Sequence, residues 1–216
     1  NPQGGVATRE YWGELLKLAE QYDFTIFADE CYSEIYRSYA PPGALEVLNT
    51  ISADPERLVV FHSLSKRSNL PGLRSGFLAT GPENLKRLSQ LKSYGGAPLP
   101  KPLQHAAAAV WGDEEHVKEN RKLYTAKYKL ADDILSGLEG YTSPEAGFFL
   151  WIAVQDSEKT TVDLWRETGV RVLPGAYLAQ EKNGKNPGQN FIRVALAAQQ
   201  KITEEALIKM RSFLEK

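Results

Sequence analysis

Apolar residues change period along the chain, and each change marks an element. Over residues 11–22, Leu15, Leu16, Leu18 and Ala19 recur at helical spacing, which predicts an amphipathic helix with Thr8 as its N-cap. Residues 24–28 form a short β-rich run that ends in Asp29-Glu30. Two more such runs follow, residues 58–62 ending in Ser63 and residues 76–79 ending in Thr80-Gly81. Near-continuous apolar strands joined by long or helical connections predict a buried, mainly parallel sheet. Residues 82–92 read as a helix with Leu85, Leu88 and Leu91 on one face.

The pattern then changes. Residues 93–102 carry two glycines and three prolines, a linker or shaped loop. From Leu103 to about Gly137 the period is helical, with a break at Gly112-Asp113 and a stripe of Leu123, Ala126, Leu130, Ile134 and Leu138. Beyond it come strands over residues 147–152, 170–173 and 191–196, and a short helix over 161–169. A polar loop covers 184–188, and a closing helix starts at Thr203-Glu204-Glu205-Ala206. The expected organisation is α/β: a larger sheet-and-helix region over residues 1–100, a helical segment over 101–137, and a small α+β domain over 138–216.

Composition excludes several function classes. Lys and Arg number 26 and Asp and Glu 27, a net charge of −1, so the basic surplus of a non-specific nucleic-acid binder is missing. Apolar runs stay far short of the roughly 20 residues of a membrane span. One cysteine, Cys31, excludes an internal disulfide framework and a zinc site with several cysteine ligands. His62, His105 and His116 have no metal-site spacing, so no metal is expected; His62 reads as a packing residue. Trp12, Trp111, Trp151 and Trp165 read as packing residues, and Glu114-Glu115 and residues 182–185 as solvated surface. The chain opens Asn1-Pro2-Gln3-Gly4, with no Met and no targeting segment.

Four features carry chemistry. Ser63-Leu64-Ser65-Lys66 is followed by Arg74 eight residues past the lysine; two hydroxyls and a guanidinium suit a phosphate monoester, and a sheltered amine beside them suits a nucleophile. Asp29 closes an apolar strand, where open α/β sheets bind ligands, with Cys31 and Tyr32 just after it. Asn1-Pro2-Gln3-Gly4 is a turn. Arg193 lies within a late strand, opposite in face to Ile192 and Val194. Singly, each has an ordinary reading: a surface lysine, a capping aspartate, a turn, a solvated arginine.

Their order and spacing together resemble the pyridoxal-phosphate-dependent class I/II aminotransferases of fold type I, over the whole chain. The resemblance implies a portion of that fold's large domain plus its small C-terminal domain, with pyridoxal 5′-phosphate as cofactor. It implies that Lys66 condenses with the cofactor aldehyde and moves the Cα proton. Asp29 would pair with the pyridine nitrogen, and Tyr32 and Asn1 with the phenolic oxygen. Ser63, Ser65 and Arg74 would hold the phosphate, and Cys31 would pack against the ring. Arg193 would clamp the substrate α-carboxylate, with Asn1 also contacting the substrate. The run from Ser65 to Phe77 departs from the commonest family form, which has an aromatic residue and a glycine after the lysine. With Pro144-Glu145-Ala146-Gly147 and Arg171-Val172-Leu173-Pro174-Gly175, it is similar to succinyl-diaminopimelate aminotransferases of lysine biosynthesis.

The implied activity is amino transfer between an amino acid and a 2-oxo acid, in a cytoplasmic homodimer with no nucleic-acid or membrane partner. Family members run to roughly twice this length, so the chain reads as a C-terminal half, inactive alone, with strand edges and apolar surface uncovered. A non-catalytic assembly module and a pyridoxal-phosphate-dependent lyase are the alternatives.

Overall fold

A computed structural model describes residues 1–96 and 98–216; Ala97, within the expected linker, lies outside the described residues. The chain forms two compact units, one of residues 6–121 and one of residues 1–5 with 122–216.

The first unit opens with α1 (Arg9–Gln21), whose N-terminus is closed by Thr8 accepting from the Tyr11 N–H at 3.1 Å. Strand β1 (Ile26–Asp29) leads to α2 (Ala44–Ile51), and β2 (Leu58–Ser63) runs straight into the single turn α3 (Leu64–Arg67). Then come β3 (Gly76–Thr80), α4 (Pro82–Gly95), α5 (Lys101–Trp111) and the opening turns of α6 (Glu115–Leu135). The sheet order is β1-β2-β3. The expected parallel pairing holds for β1 and β2, with Ile26 opposite Leu58 and Asp29 opposite Phe61. β3 instead joins β2 antiparallel, Ser63 opposite Gly76, because residues 64–75 hold only single turns and fold the chain back beside the strand it left. Gly76 permits that close return: a Cβ there would stand 2.6 Å from the His62 carbonyl oxygen.

One face of this sheet makes the core. Ile26, Ala28, Leu58 and Val60 pack with Leu16 and Ala19 of α1 and Ala44, Val47 and Leu48 of α2. On the other face Phe27 is 68% exposed. The leucine face of α4 is likewise not buried in this unit. The start of α4 is capped from a distance: the Glu56 carboxylate accepts from the Glu83 and Asn84 N–H groups at 2.9 and 2.8 Å.

The second unit has β4 (Phe149–Ala153), α7 (Ser157–Thr168), the short β5 (Leu173–Pro174), β6 (Phe191–Ala195) and α8 (Gln200–Leu214). Its strands run β4-β6-β5, all antiparallel. Leu150, Ile152, Leu164, Ile192, Leu196, Leu207 and Met210 are among its buried side chains. Asp156 caps α7 by accepting from Lys159 N–H at 2.8 Å, and Gly169 ends it at φ 77°.

α2 is not among the expected elements, α7 begins at Ser157 rather than at residue 161, and two further helices differ from expectation. The buried stripe of α6 is Val117, Tyr124, Tyr128, Ala131 and Leu135, one position round from the aliphatic stripe, and Leu123 is 63% exposed. Two tyrosines decide it: the Tyr124 ring stacks on Phe148 at 5.5 Å, and the Tyr128 hydroxyl donates to the Gly147 carbonyl. α8 begins at Gln200, so Thr203 is inside it and buried, its hydroxyl donating to the Ala198 carbonyl at 3.3 Å. Among the described residues no helix is long and apolar enough to cross a membrane.

Candidate active site

In the first unit the candidate residues cluster at the ends of β1 and β2. Asp29 is the last residue of β1 and Ser63 the last of β2. Asp29 pairs in register with Phe61, so Asp29, Phe61 and Ser63 share one face of the sheet. Two residues of strand and one inter-strand step put the Asp29 and Ser63 backbones roughly 8 Å apart.

Ser63 is both the end of the strand and the N-cap of the turn that follows. Its hydroxyl accepts from the Ser65 N–H at 3.1 Å, lies 2.9 Å from the Ser65 hydroxyl and reaches the Ser75 carbonyl at 3.3 Å. The two serines are thereby brought together by one local bond pattern. Lys66 is the third residue of that turn and is half-buried. Arg74 ends the next turn in the left-handed region, φ 55°, costing on the order of 1 kcal/mol for a residue with a Cβ. It is exposed, and its guanidinium donates to the Pro71 carbonyl at 2.9 Å.

After β1 the chain turns tightly. The Cys31 N–H donates to an Asp29 carboxylate oxygen at 3.1 Å, and the Ile35 N–H to the Tyr32 carbonyl at 2.9 Å. Cys31 and Tyr32 are half-buried there. Burial, with the Asp29 carboxylate adding to it, pushes the Cys31 thiol up to about 12, against the opposing charge of Lys66.

In the second unit Arg193 occupies the central strand β6, between the buried Ile192 and Val194. Its guanidinium stands 4.3 Å from the centre of the Phe149 ring and donates to the Asn1 side-chain oxygen at 3.0 Å. Asn1 is held by the glycine of its own turn. Gly4 has φ 75°, and its carbonyl accepts from the Glu145 and Ala146 N–H groups at 2.9 and 3.0 Å. A Cβ on Gly4 would stand 2.5 Å from the Pro144 Cβ, so only glycine lets the segment lie there. The structure thus joins Asp29 to Cys31, Ser63 to Ser65, and Arg193 to Asn1.

The family model for aminotransferase class I and II matches residues 1–209. The chain belongs to that family. Among solved structures, an aminotransferase from Neisseria meningitidis is 38% identical with a TM-score of 0.92, over 98% of this chain and 55% of its own. The aminotransferase AspB from Helicobacter pylori is 32% identical with a TM-score of 0.91, over 100% of this chain and 56% of its own. LL-diaminopimelate aminotransferase 2 of a Nostoc species is 31% identical over 98% of this chain and 53% of its own length. The chain therefore spans about half the length of the curated relatives it matches. Class I and II aminotransferases use pyridoxal phosphate, and the α/β architecture belongs to their fold.

Sequence reasoning gave no role to two members of this region, Glu30 and Arg67. Glu30, beside Asp29, accepts from the Ala44 N–H at 2.7 Å and lies 3.3 Å from His62 Nε2. It therefore ties together the residue after Asp29 and the one before Ser63. His62 also stacks on Phe77 at 5.1 Å, a packing role as expected. Arg67 is buried and ion-paired with Glu114, so Glu114 is bound to the site region rather than simply solvated. Arg67 stands among Ser65, Lys66, Ser68 and Asn69, so no pattern in the sequence marks it as buried.

The raised Cys31 thiol makes a testable prediction. At pH 8 it is protonated, whereas an unfolded cysteine near its ordinary value of about 8.5 is partly thiolate. Iodoacetamide is expected to label Cys31 in the native protein at least ~100-fold more slowly than in urea. Equal rates, followed by mass spectrometry, would show that the thiol is not suppressed.

Proposed function

We propose that the protein serves a pyridoxal-phosphate-dependent aminotransferase that moves an amino group between an amino acid and a 2-oxo acid. The observation that carries this reading is the end of the β1–β2 ladder. A carboxylate closes one strand, and a serine-capped turn bearing a lysine closes its parallel neighbour.

The donor set fits the cofactor's chemistry. Asp29 would hold the pyridine nitrogen, Ser63, Ser65 and Arg74 the phosphate, and Tyr32 and Asn1 the phenolic oxygen. Cys31, kept as a thiol, presents a small uncharged surface to the ring. When bound, pyridoxal phosphate supplies an aldehyde for the amino group and a ring that takes up the electron pair left at Cα. Lys66 Nζ would hold that aldehyde and take the proton from the substrate Cα. Arg193 takes the α-carboxylate with its planar fork, its approach steadied by the Phe149 ring and by Asn1.

The finer reading is a substrate of the diaminopimelate type, succinyl-diaminopimelate or a related amino acid of lysine biosynthesis. The run Ser65-Lys66-Arg67-Ser68-Asn69-Leu70-Pro71-Gly72 and the names of the LL-diaminopimelate aminotransferases among the relatives support it. With it go a cytoplasmic homodimer and an organisation into a cofactor-holding region of residues 1–100, a helical segment of 101–137 and a small domain of 138–216.

The test is amino transfer by the protein loaded with pyridoxal phosphate, with diaminopimelate-type and common amino donors against several 2-oxo acids. Keto-acid formation from a donor supports the reading. Cofactor bound at Lys66 with no transfer from any donor points to a lyase, and no bound cofactor points to an assembly module. In an active protein, Arg193→Lys is expected to raise KM for the amino donor about tenfold or more, because an ammonium cannot reproduce the bidentate contact. The visible spectrum of the cofactor should stay as it is. An unchanged KM would count against Arg193 as the clamp.

A further inference from the structure

α3 has four residues, too few to set its own orientation, because a single helical turn lacks cooperative support. Its N-terminal end is held by the Ser63 cap and by Leu64, which is fully buried and whose N–H donates to the Ser75 carbonyl at 3.1 Å. Its C-terminal end is held by Arg67. That side chain is 9% exposed, and its guanidinium sits at the end of α5. It donates to the Val110 carbonyl at 3.2 Å and the Ser68 hydroxyl at 3.3 Å, reaches the Trp111 carbonyl at 3.5 Å and pairs with the Glu114 carboxylate. It also lies 5.2 Å from the centre of the Trp111 ring. Carbonyls at a helix C-terminus lack intrahelical partners and carry partial negative charge, so a cation there is doubly favoured. Asn120 of α6 adds a weaker hold, its amide 3.4 Å from the Lys66 carbonyl and 3.5 Å from that of Arg67.

Successive residues of a helix leave the backbone about 100° apart. Anchoring Arg67 into the end of α5 therefore sets the direction in which Lys66 leaves α3. α3 continues directly from β2, whose parallel neighbour β1 ends at Asp29 opposite Phe61, so Lys66 lies beside the turn after β1, close enough for its charge to be felt at the Cys31 thiol.

We infer that Arg67 is a positioning residue for Lys66: its guanidinium, locked between the last carbonyls of α5, Glu114 and the Trp111 ring, aims the lysine amine at the end of β1. This rests on the reading of Lys66 as the cofactor-binding lysine. Arg67 itself is assigned no contact with substrate or cofactor, so it acts through the orientation of its neighbour.

The test compares Arg67→Met, Arg67→Lys and Glu114→Gln with the parent, all in the full-length protein loaded with pyridoxal phosphate. Three quantities are read: the pH midpoint of the visible band, the rate of cofactor loss on dilution, and the thermal midpoint. Arg67→Met keeps most of the stem volume and removes the guanidinium. It is expected to move the band's pH midpoint by at least half a unit and to speed cofactor loss tenfold or more. Glu114→Gln, at a largely exposed partner, should shift both in the same direction by less, and Arg67→Lys should fall between. A lower thermal midpoint with the parent's band and retention would overturn the inference and leave Arg67 a structural residue only. If Arg67→Met does not fold, Arg67→Lys and Glu114→Gln decide by the same criteria. If the parent itself carries no cofactor on Lys66 after borohydride reduction, the proposed function falls. Hydrogen exchange over residues 64–70 of the cofactor-free protein then judges the clamp alone: faster exchange in Arg67→Lys supports it, and unchanged exchange overturns it.

Discussion

Lys66→Ala is expected to abolish amino transfer, lowering kcat by at least about 10⁴-fold, and to remove the covalently held cofactor. The size follows from two tasks meeting in one amine. In the proposed role the same Nζ would bind the aldehyde and move the Cα proton, and no second lysine belongs to the turn that holds it. The variant should fold. Alanine is the best helix former, Ser63 still caps the turn, and Leu64 and Arg67 still anchor it on either side. The checks are steady-state turnover, borohydride reduction followed by peptide mass, and a thermal midpoint near the parent's. Turnover retained at a tenth of the parent rate would sink the assignment of Lys66.

Asp29→Asn is expected to be the next most damaging change, with kcat falling about 10²–10³-fold and the cofactor held more weakly. The substitution isolates charge from shape. The Cys31 N–H now donates to one Asp29 oxygen at 3.1 Å, and an asparagine carbonyl can accept the same bond, so the turn after β1 should persist. What is lost is the negative charge that would keep the pyridine nitrogen protonated, and with it the ring's capacity to accept electrons from Cα. Kinetics and the visible spectrum of the bound cofactor check this; a near-normal kcat would mean that Asp29 does not face the ring nitrogen.

Much of the site is legible in the sequence because its members lie next to elements that local pattern reveals. Asp29 and Ser63 each end an apolar run, and the structure ends β1 and β2 at those two residues. The serine cap needs only residues 63 and 65, so spacing alone exposes it. Arg193 alternates with Ile192 and Val194, and both of those are buried as period two requires. The stripe of α6 escapes the pattern because tyrosine counts as half polar in a sequence but fully as a ring in packing. Tyr124 and Tyr128 find Phe148 and the Gly147 carbonyl, and those partners turn the helix by one position. The start of α8 is misleading because a Thr-Glu-Glu run looks like a cap, while Thr203 is buried one turn inside the helix.

By itself, then, the sequence determined the order of the strands and of the longer helices, though not α2, and with it the identities of the chemical groups and which strand end or turn carries each. These depend on residues within a turn or two of one another, where propensity and period act directly. Tertiary structure alone decided the contacts that span the chain. It turned β3 antiparallel beside β2, capped α4 with Glu56, sank Arg67 into the end of α5, and brought Asn1 to Arg193 across 192 residues of sequence. Arg67 must find partners because a buried polar group cannot be left unpaired, and the other contacts form where packing brings distant segments together; no local pattern records where that is.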